Sequence, residues 1–168
     1  MNRRAAFWAA TVAGCYILQV VFLPLVALRG VTPNLMLLAV LYFAVHRGPA
    51  AGVWLGFSWG ILSDVAGLSL FGSQAFILTA IGYGAGRLQG KVDEEKYPAQ
   101  VVLVLAASLA HVAGVACLEA IFEGSVQRWR AAVSAAQPLY SVFICPLVFW
   151  LLKLWQKAFL RQEVRPYS

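Results

Sequence analysis

The chain has 168 residues, of which 61% are hydrophobic and only 12% are charged. These few polar side chains cannot cover the surface of a soluble globule of this size, so the composition excludes a soluble enzyme and predicts one integral membrane domain over residues 1–168. The net charge of +6 comes from basic residues at the ends of apolar segments, which argues against nucleic-acid binding and for contact with membrane lipids.

Glycine, proline and charged residues divide the apolar sequence into six segments of lengths suited to bilayer helices. We predict an all-α polytopic membrane protein with six transmembrane helices, at residues 5–28, 33–46, 49–65, 71–87, 98–121 and 132–154. The second and third segments are short enough for a re-entrant hairpin. Because that hairpin would leave Arg47 within the membrane, at about 2.5 to 3.5 kcal/mol on insertion scales, we expect two full spans.

The first segment follows Arg3 and Arg4 and resembles a signal peptide, but it is too long and has no convincing cleavage site. We therefore expect it to be retained as a span. Ala6, Ala10 and Gly14 recur every four residues and share one face of its helix. This row predicts close packing, either against the protein's own helices or against a partner's transmembrane helix.

The second segment is bounded by clear start and stop signals. Thr32 is expected to cap its helix, and Pro33 suits a first helical turn. Gly48 and Pro49 end the segment just after Arg47, whose charge is favourable near the carbonyl end of a helix. We expect Asn34 and Arg47 to be structural polar residues.

The third segment carries the most regular pattern in the chain. Gly52, Gly56 and Gly60 recur every four residues, and Asp64 continues the row one turn further. The row predicts packing within the bundle, where this helix is expected to be central, or alternatively a groove for a partner helix. Asp64 lies about 24 Å along the helix from Gly48, near the outer interface. There we expect it to accept hydrogen bonds from the turn at 67–72 or from the start of the fourth helix, with proton coupling or ligand capture as the alternative.

The last two segments contain the other unusual polar residues and two prolines. His111 and Glu119 lie eight residues apart on roughly one face of the fifth helix, and we expect structural roles for both. No metal site and no cofactor are expected, because two histidines and scattered acids do not supply three ligands. Pro138 and Pro146 are expected to kink the sixth helix.

The basic residues predict the orientation. Ten lie on one side of the predicted membrane and three on the other, so the positive-inside rule places both termini in the cytoplasm. The ten are Arg3, Arg4, Arg47, Arg87, Lys91, Lys96, Lys153, Lys157, Arg161 and Arg165, and the three are Arg29, Arg128 and Arg130.

One set of residues, in this order, is typical of a known family: Thr-Pro-Asn-Leu-Met-Leu-Leu at 32–38, Arg47, Gly48, Gly56, Phe57, Gly60, Asp64, Gly67, Gly72, Gly82 to Gly86, Pro138, Tyr140 and Pro146. By this set the chain resembles the rod shape-determining protein MreD family. The resemblance implies a non-enzymatic inner-membrane protein of six spans that holds the transmembrane helix of MreC. It also implies work in the cell-elongation machinery beside MreB, the glycosyltransferase RodA and its class B penicillin-binding transpeptidase.

Two functions are therefore compared. The first is a scaffold that binds MreC and helps position peptidoglycan synthases, with the small-residue rows and the last helix as docking surfaces. The second follows from the similarity of the family fold to the substrate-binding S components of energy-coupling-factor transporters. It is a transporter subunit with an outward pocket for a small molecule such as a vitamin, built from Asp64, Gln74, His111 and Glu119.

Overall fold

The computed structural model describes residues 3–22, 33–66, 71–90, 97–122 and 128–160. Across these ranges the regular structure is helical, without a strand. The elements are α1 (Arg3–Ile17), a π-helix (Leu18–Phe22), α2 (Leu35–Arg47), α3 (Pro49–Ala66), α4 (Ser73–Gly86), α5 (Tyr97–Phe122) and α6 (Arg128–Leu160). The prediction of an all-α fold with six helices is confirmed for the described residues. The predicted end of the first span, at residue 28, lies outside them.

Two stretches of the described residues are long and apolar enough to cross a membrane by length and composition. They are Tyr97–Phe122, which is α5, and Gln137–Trp155 within α6. By contrast α2 has 13 residues, or about 20 Å at helical rise, which is less than the roughly 30 Å of a bilayer's hydrocarbon core. That all six helices cross the membrane stays a prediction.

The centre of the bundle is α2. Every residue from Leu35 to Val45 is buried, so this helix is apolar and covered on all sides. It contacts α1, α3, α4, α5 and α6. The expectation that the third helix is central was wrong, because α3 exposes Trp54 and Val65 on one side whereas α2 exposes no side chain before its last turn. A helix enclosed by protein need not match the thickness of the bilayer.

The bundle has two distinct ends. Ser63 Oγ near the end of α3 contacts Met36 Sδ at the start of α2, at 3.1 Å, and α4 begins beside the end of α3. We call this the capped end. The opposite end holds Arg47 at the end of α2, Arg87 after α4 and Lys153 late in α6, and we call it the basic end.

The start of α2 is held by the side chain of its own cap residue and by side chains from two other elements. Asn34 Oδ1 accepts a hydrogen bond from Leu37 N at 3.0 Å, so Asn34 is the helix cap. Gln19 Oε1, in the π-helix, accepts from Leu35 N at 2.8 Å. Ser141 Oγ on α6 accepts from the backbone N of Asn34 at 3.3 Å. The expectation that Thr32 caps this helix was wrong, since Asn34 supplies the capping oxygen, and Thr32 itself lies outside the described residues.

The last helix, α6, continues through both of its prolines. Because Pro146 has no backbone N–H, the carbonyl of Val142 lacks its partner within the helix. Pro138 is fully buried, one turn before Ser141. A kink at each proline stays a prediction.

Loss of the Asn34 cap should weaken the bundle measurably. Asn34→Ala removes the oxygen that accepts from Leu37 N, which should cost about 0.5–2 kcal/mol. Heating of the detergent-purified protein, followed by size-exclusion chromatography, should show a lower midpoint for loss of the monodisperse peak. Asn34→Asp keeps an acceptor at a helix N-terminus and should resemble the wild type. Equal losses in both variants would contradict the capping role.

Candidate functional site

The glycine row of α3 lies directly against α4. A β-carbon built at Gly52, Gly56 or Gly60 would fall on the backbone of Gly82, Leu78 or Ala75, respectively. The two backbones are therefore in contact along an antiparallel pair, with no side chain between them. Gly86 extends the contact, since a β-carbon there would fall on Pro49. Because α4 already fills this row, the row is a packing surface within the bundle and offers no groove to another chain.

Asp64 ends the row at the capped end and holds the start of α4. Its side chain is buried, with 3% of its surface exposed. Oδ1 accepts from Gln74 N and Oδ2 from Ala75 N, each at 3.0 Å. These N–H groups belong to the first turn of α4, where helix geometry supplies no partner and the helix dipole favours a negative charge. Gly72, which precedes α4, has a φ of 94° that suits glycine and supplies no side-chain cap of its own.

His111 of α5 reaches the same helix start. Its Nε2 lies 2.8 Å from Gln74 Oε1, and because an amide oxygen only accepts, Nε2 donates. Asp64, Gln74 and His111 therefore form one set of contacts across α3, α4 and α5, which we call the polar cluster. Glu119 lies eight residues beyond His111 on α5, or about 12 Å at helical rise, and is half-buried.

The hydrogen bonds of the polar cluster hold the start of α4. Both carboxylate oxygens of Asp64 and the Nε2 of His111 have hydrogen-bond partners in the protein. Within the described residues, no three His, Cys, Asp or Glu side chains are placed to hold a metal ion. Gln74, Gln19 and Ser141 act at these helix starts although the sequence analysis assigned none of them a structural role. The sequence shows only that these three are polar residues in or beside apolar segments.

The small-residue row of α1 has a different environment from the row of α3. Ala10 and Gly14 line a cavity of about 290 Å³ between α1, α2 and α6, which we call the α1–α6 groove. A β-carbon at Gly14 would meet no atom within 4 Å. Trp155 Nε1 of α6 donates to Thr11 Oγ1 across this groove at 3.2 Å. The side chain of Ala6 lies outside the described part of the chain.

A second groove separates α1 from α3. It is a cavity of about 820 Å³ with walls that include Tyr16 and Trp54, and Arg47 lines it too. Trp59 Nε1 donates to the carbonyl of Val12 at 2.9 Å, which fastens α1 to α3. Arg47, predicted as a structural residue, is thus an exposed side chain of this groove at the basic end.

Comparison with known families gives a match along almost the whole chain. The model of the family described as rod shape-determining protein MreD matches residues 3–158. The chain belongs to the MreD family. No match was found among curated proteins or among solved structures.

Membership in the MreD family sets the general role. MreD proteins are membrane proteins of rod-shape determination, which belong with the MreB and MreC shape-determining system, and the family is not known for enzymatic activity. The resemblance that the sequence analysis drew from residues such as Asn34, Gly60 and Asp64 is confirmed at the level of the family.

The glycine contact predicts a steep cost for any side chain at Gly56. Gly56→Ala places a methyl group on the carbonyl oxygen of Leu78, and overpacking of this kind costs about 1–3 kcal/mol. Thermal stability in detergent should fall accordingly. Gly84 of α4 is the matched control, because a β-carbon there meets no atom within 4 Å. Alanine favours a helix over glycine at both positions, so equal damage from Gly84→Ala would show that the loss does not come from the backbone contact at Gly56.

The Asp64 contact predicts a graded response to substitution. Asp64→Ala leaves the N–H groups of Gln74 and Ala75 without their acceptor, at about 1–3 kcal/mol for a buried unpaired group. Asp64→Asn keeps one acceptor oxygen and should lose less. Hydrogen–deuterium exchange at the first turn of α4 should rise most in the alanine variant. An unchanged exchange rate in Asp64→Ala would contradict the assigned role.

Proposed function

We propose that this protein is a non-enzymatic scaffold of the bacterial inner membrane that holds the transmembrane helix of MreC and helps position peptidoglycan synthases during cell elongation. Membership in the MreD family supports the general role. The docking surface we assign to MreC is the α1–α6 groove. This choice rests on a comparison of the two small-residue rows. A β-carbon at Gly14 would meet no atom within 4 Å, whereas a β-carbon at Gly52, Gly56 or Gly60 would fall on the backbone of α4.

The physics of helix association in lipid favours this groove. Lipid chains are as apolar as leucine, so helices associate through close packing, and small residues allow the closest approach. Ala10 and Gly14 provide such a surface, and Leu18 and Leu151, which also line the groove, are each about half exposed. An incoming helix would pack on these residues without displacing α4 from the glycine row. The binding energy would come from dispersion along the helix and not from charge.

The wider assembly follows from the same proposal. MreC would link this protein to MreB, to RodA and to its class B penicillin-binding transpeptidase, with a role in positioning and none in bond chemistry. Both termini would lie in the cytoplasm. The basic end supports this orientation, because Arg47, Arg87 and Lys153 lie there and would face the anionic inner leaflet.

The vitamin-binding alternative requires convergent polar groups around an open site. Asp64 and His111 are instead engaged with α4 and Gln74. The two cavities that border α1 contain none of the four predicted ligand residues, and the cavity of about 260 Å³ beside Phe71 contains no ionisable side chain. A cavity of about 510 Å³ has polar lining residues, including Gln100 and Lys153, but it lies at the basic end and not on the predicted outward side. The predicted pocket of Asp64, Gln74, His111 and Glu119 therefore has no support, and no solved structure of a transporter S component matches the chain. Mass spectrometry of the purified protein would detect a retained small molecule if this view were wrong.

Filling the α1–α6 groove should weaken the association with MreC. Gly14→Leu places a branched side chain where the partner helix would approach, and we expect about a tenfold loss of MreC recovered with the protein, or roughly 1.4 kcal/mol. Ala10→Leu should act in the same direction. Co-purification from mild detergent with tagged protein is the measurement.

Gly84→Leu is the control for added bulk on an open helix surface. Gly84 is exposed on α4 and has as much space as Gly14. All variants should elute as monodisperse protein when purified alone, which separates docking from folding. Wild-type recovery of MreC with Gly14→Leu and Ala10→Leu, in well-folded protein, would remove the α1–α6 groove as the docking surface.

A further inference from the structure

The helix type changes where α1 approaches the start of α2. After Ile17 the chain continues as a π-helix over Leu18–Phe22. A π-turn has more residues than an α-turn, is rare, and is found frequently at functional sites. The sequence Leu-Gln-Val-Val-Phe contains neither proline nor glycine, so its own composition does not break the α-helix. The cause must therefore be contacts with the rest of the bundle.

Gln19 makes such contacts with both ends of its side-chain amide. Its Oε1 accepts from Leu35 N at 2.8 Å, and its Nε2 donates to the carbonyl of Pro33 at 3.3 Å. These two backbone groups flank Asn34, the cap of α2. An amide that is bonded at its oxygen and at its nitrogen is held in one orientation. Gln19 thus ties the π-helix to the start of α2.

The helix before the π-turn is fixed by separate contacts. Trp59 Nε1 of α3 donates to the carbonyl of Val12 at 2.9 Å, and Trp155 Nε1 of α6 donates to Thr11 Oγ1 at 3.2 Å. Because an α-helix has 3.6 residues per turn, fixing its rotation at Val12 would also fix its rotation at Gln19. The wider π-turn changes that rotation, which lets both sets of contacts form.

The anchoring of Gln19 also decides the direction of Leu18, the residue before it. Successive residues of a helix are about 100° apart, so the position of one sets the position of the next. Leu18 lines the α1–α6 groove with 49% of its surface exposed, whereas Gln19 is not part of the lining. A π-turn released from α2 would rotate Leu18 relative to Gly14. The part of the groove nearest the capped end therefore depends on a residue outside it.

We propose that Gln19 is the positioning residue of the α1–α6 groove, because it anchors the π-helix to α2 and so holds Leu18 against the MreC helix. The inference rests on the proposed docking of MreC in this groove. Leu18 would supply the contact and Gln19 its position. The surface is small at Ala10 and Gly14 and bulky at Leu18. It fits an apolar helix that places a small side chain opposite Leu18 and larger ones opposite Gly14.

Titration of the protein in nanodiscs with the transmembrane peptide of MreC tests the assignment. Leu18→Ala removes the contact and Gln19→Leu releases its anchor, so each should lower the affinity about tenfold. Because both changes act on one contact, the double variant should also lose about tenfold, and not the roughly hundredfold of independent sites. Asn34→Ala is the matched control, since it removes another acceptor at the start of α2 and leaves Gln19 in place. Its affinity should stay within about twofold of the wild type.

Hydrogen–deuterium exchange of the protein alone tests the anchor directly. Amide exchange over residues 18–22 should rise about tenfold in Gln19→Leu and stay at the wild-type rate in Asn34→Ala. Unchanged exchange in Gln19→Leu would overturn the role of Gln19. Equal losses of MreC affinity in Gln19→Leu and Asn34→Ala would overturn it too, because they would show a general loss of stability.

The outcomes separate this inference from the docking proposal. Wild-type affinity in Leu18→Ala and Gln19→Leu, together with a loss in Gly14→Leu, would overturn the inference and leave the groove in place. Wild-type affinity in all three variants would overturn the docking surface and the inference with it. A double variant that loses the product of the two single losses would show that Gln19 does not act through Leu18.

Discussion

The direct contact between the α3 and α4 backbones is the constraint on which the rest of the bundle depends. In a bilayer the lipid offers apolar side chains an environment as favourable as the protein interior, so packing must supply what the hydrophobic effect supplies in water. Gly52, Gly56 and Gly60 remove the atoms that would hold the two helices apart. The resulting pair covers one side of α2 as a single layer, because both helices contact α2. Enclosure on all sides is what allows a helix of 13 residues to lie within the bundle.

Short enclosed helices create a second requirement, since their backbone ends need partners that lipid cannot provide. At the capped end these partners are side chains, from the cap residue of α2 itself and from other elements. Gln19 and Asn34 serve the start of α2, and Asp64 serves the start of α4. Each of these hydrogen bonds satisfies a backbone group, and those of Gln19 and Asp64 also fix where one helix begins relative to another element. The buried acid therefore has a sufficient structural reason to be there, without a proton path or a bound substrate.

The sequence predicts periodic features well and tertiary pairings poorly. Spacing alone placed Gly52, Gly56, Gly60 and Asp64 on one face, because a helix has a fixed period. Spacing could not predict that α4 packs on that face whereas the similar row at Ala10 and Gly14 has no helix packed on it. Which helix packs on a small-residue row depends on the positions of the other helices. The central position of α2 was missed for a related reason. Its uniform apolarity is typical of a membrane span, and only the surrounding helices show that it is buried.

The geometry of the α1–α6 groove favours holding a helix in a fixed position over opening and closing to admit a substrate. Its two walls are fastened to the same point, because Gln19 after α1 and Ser141 on α6 both bond to the backbone at the start of α2. Further along, Trp155 of α6 donates to Thr11 of α1. Walls tied at two levels keep a constant separation, so a helix packed against their outer surface is positioned relative to the whole bundle. A transporter would need such a gap to open and close, whereas a scaffold needs it to stay the same width.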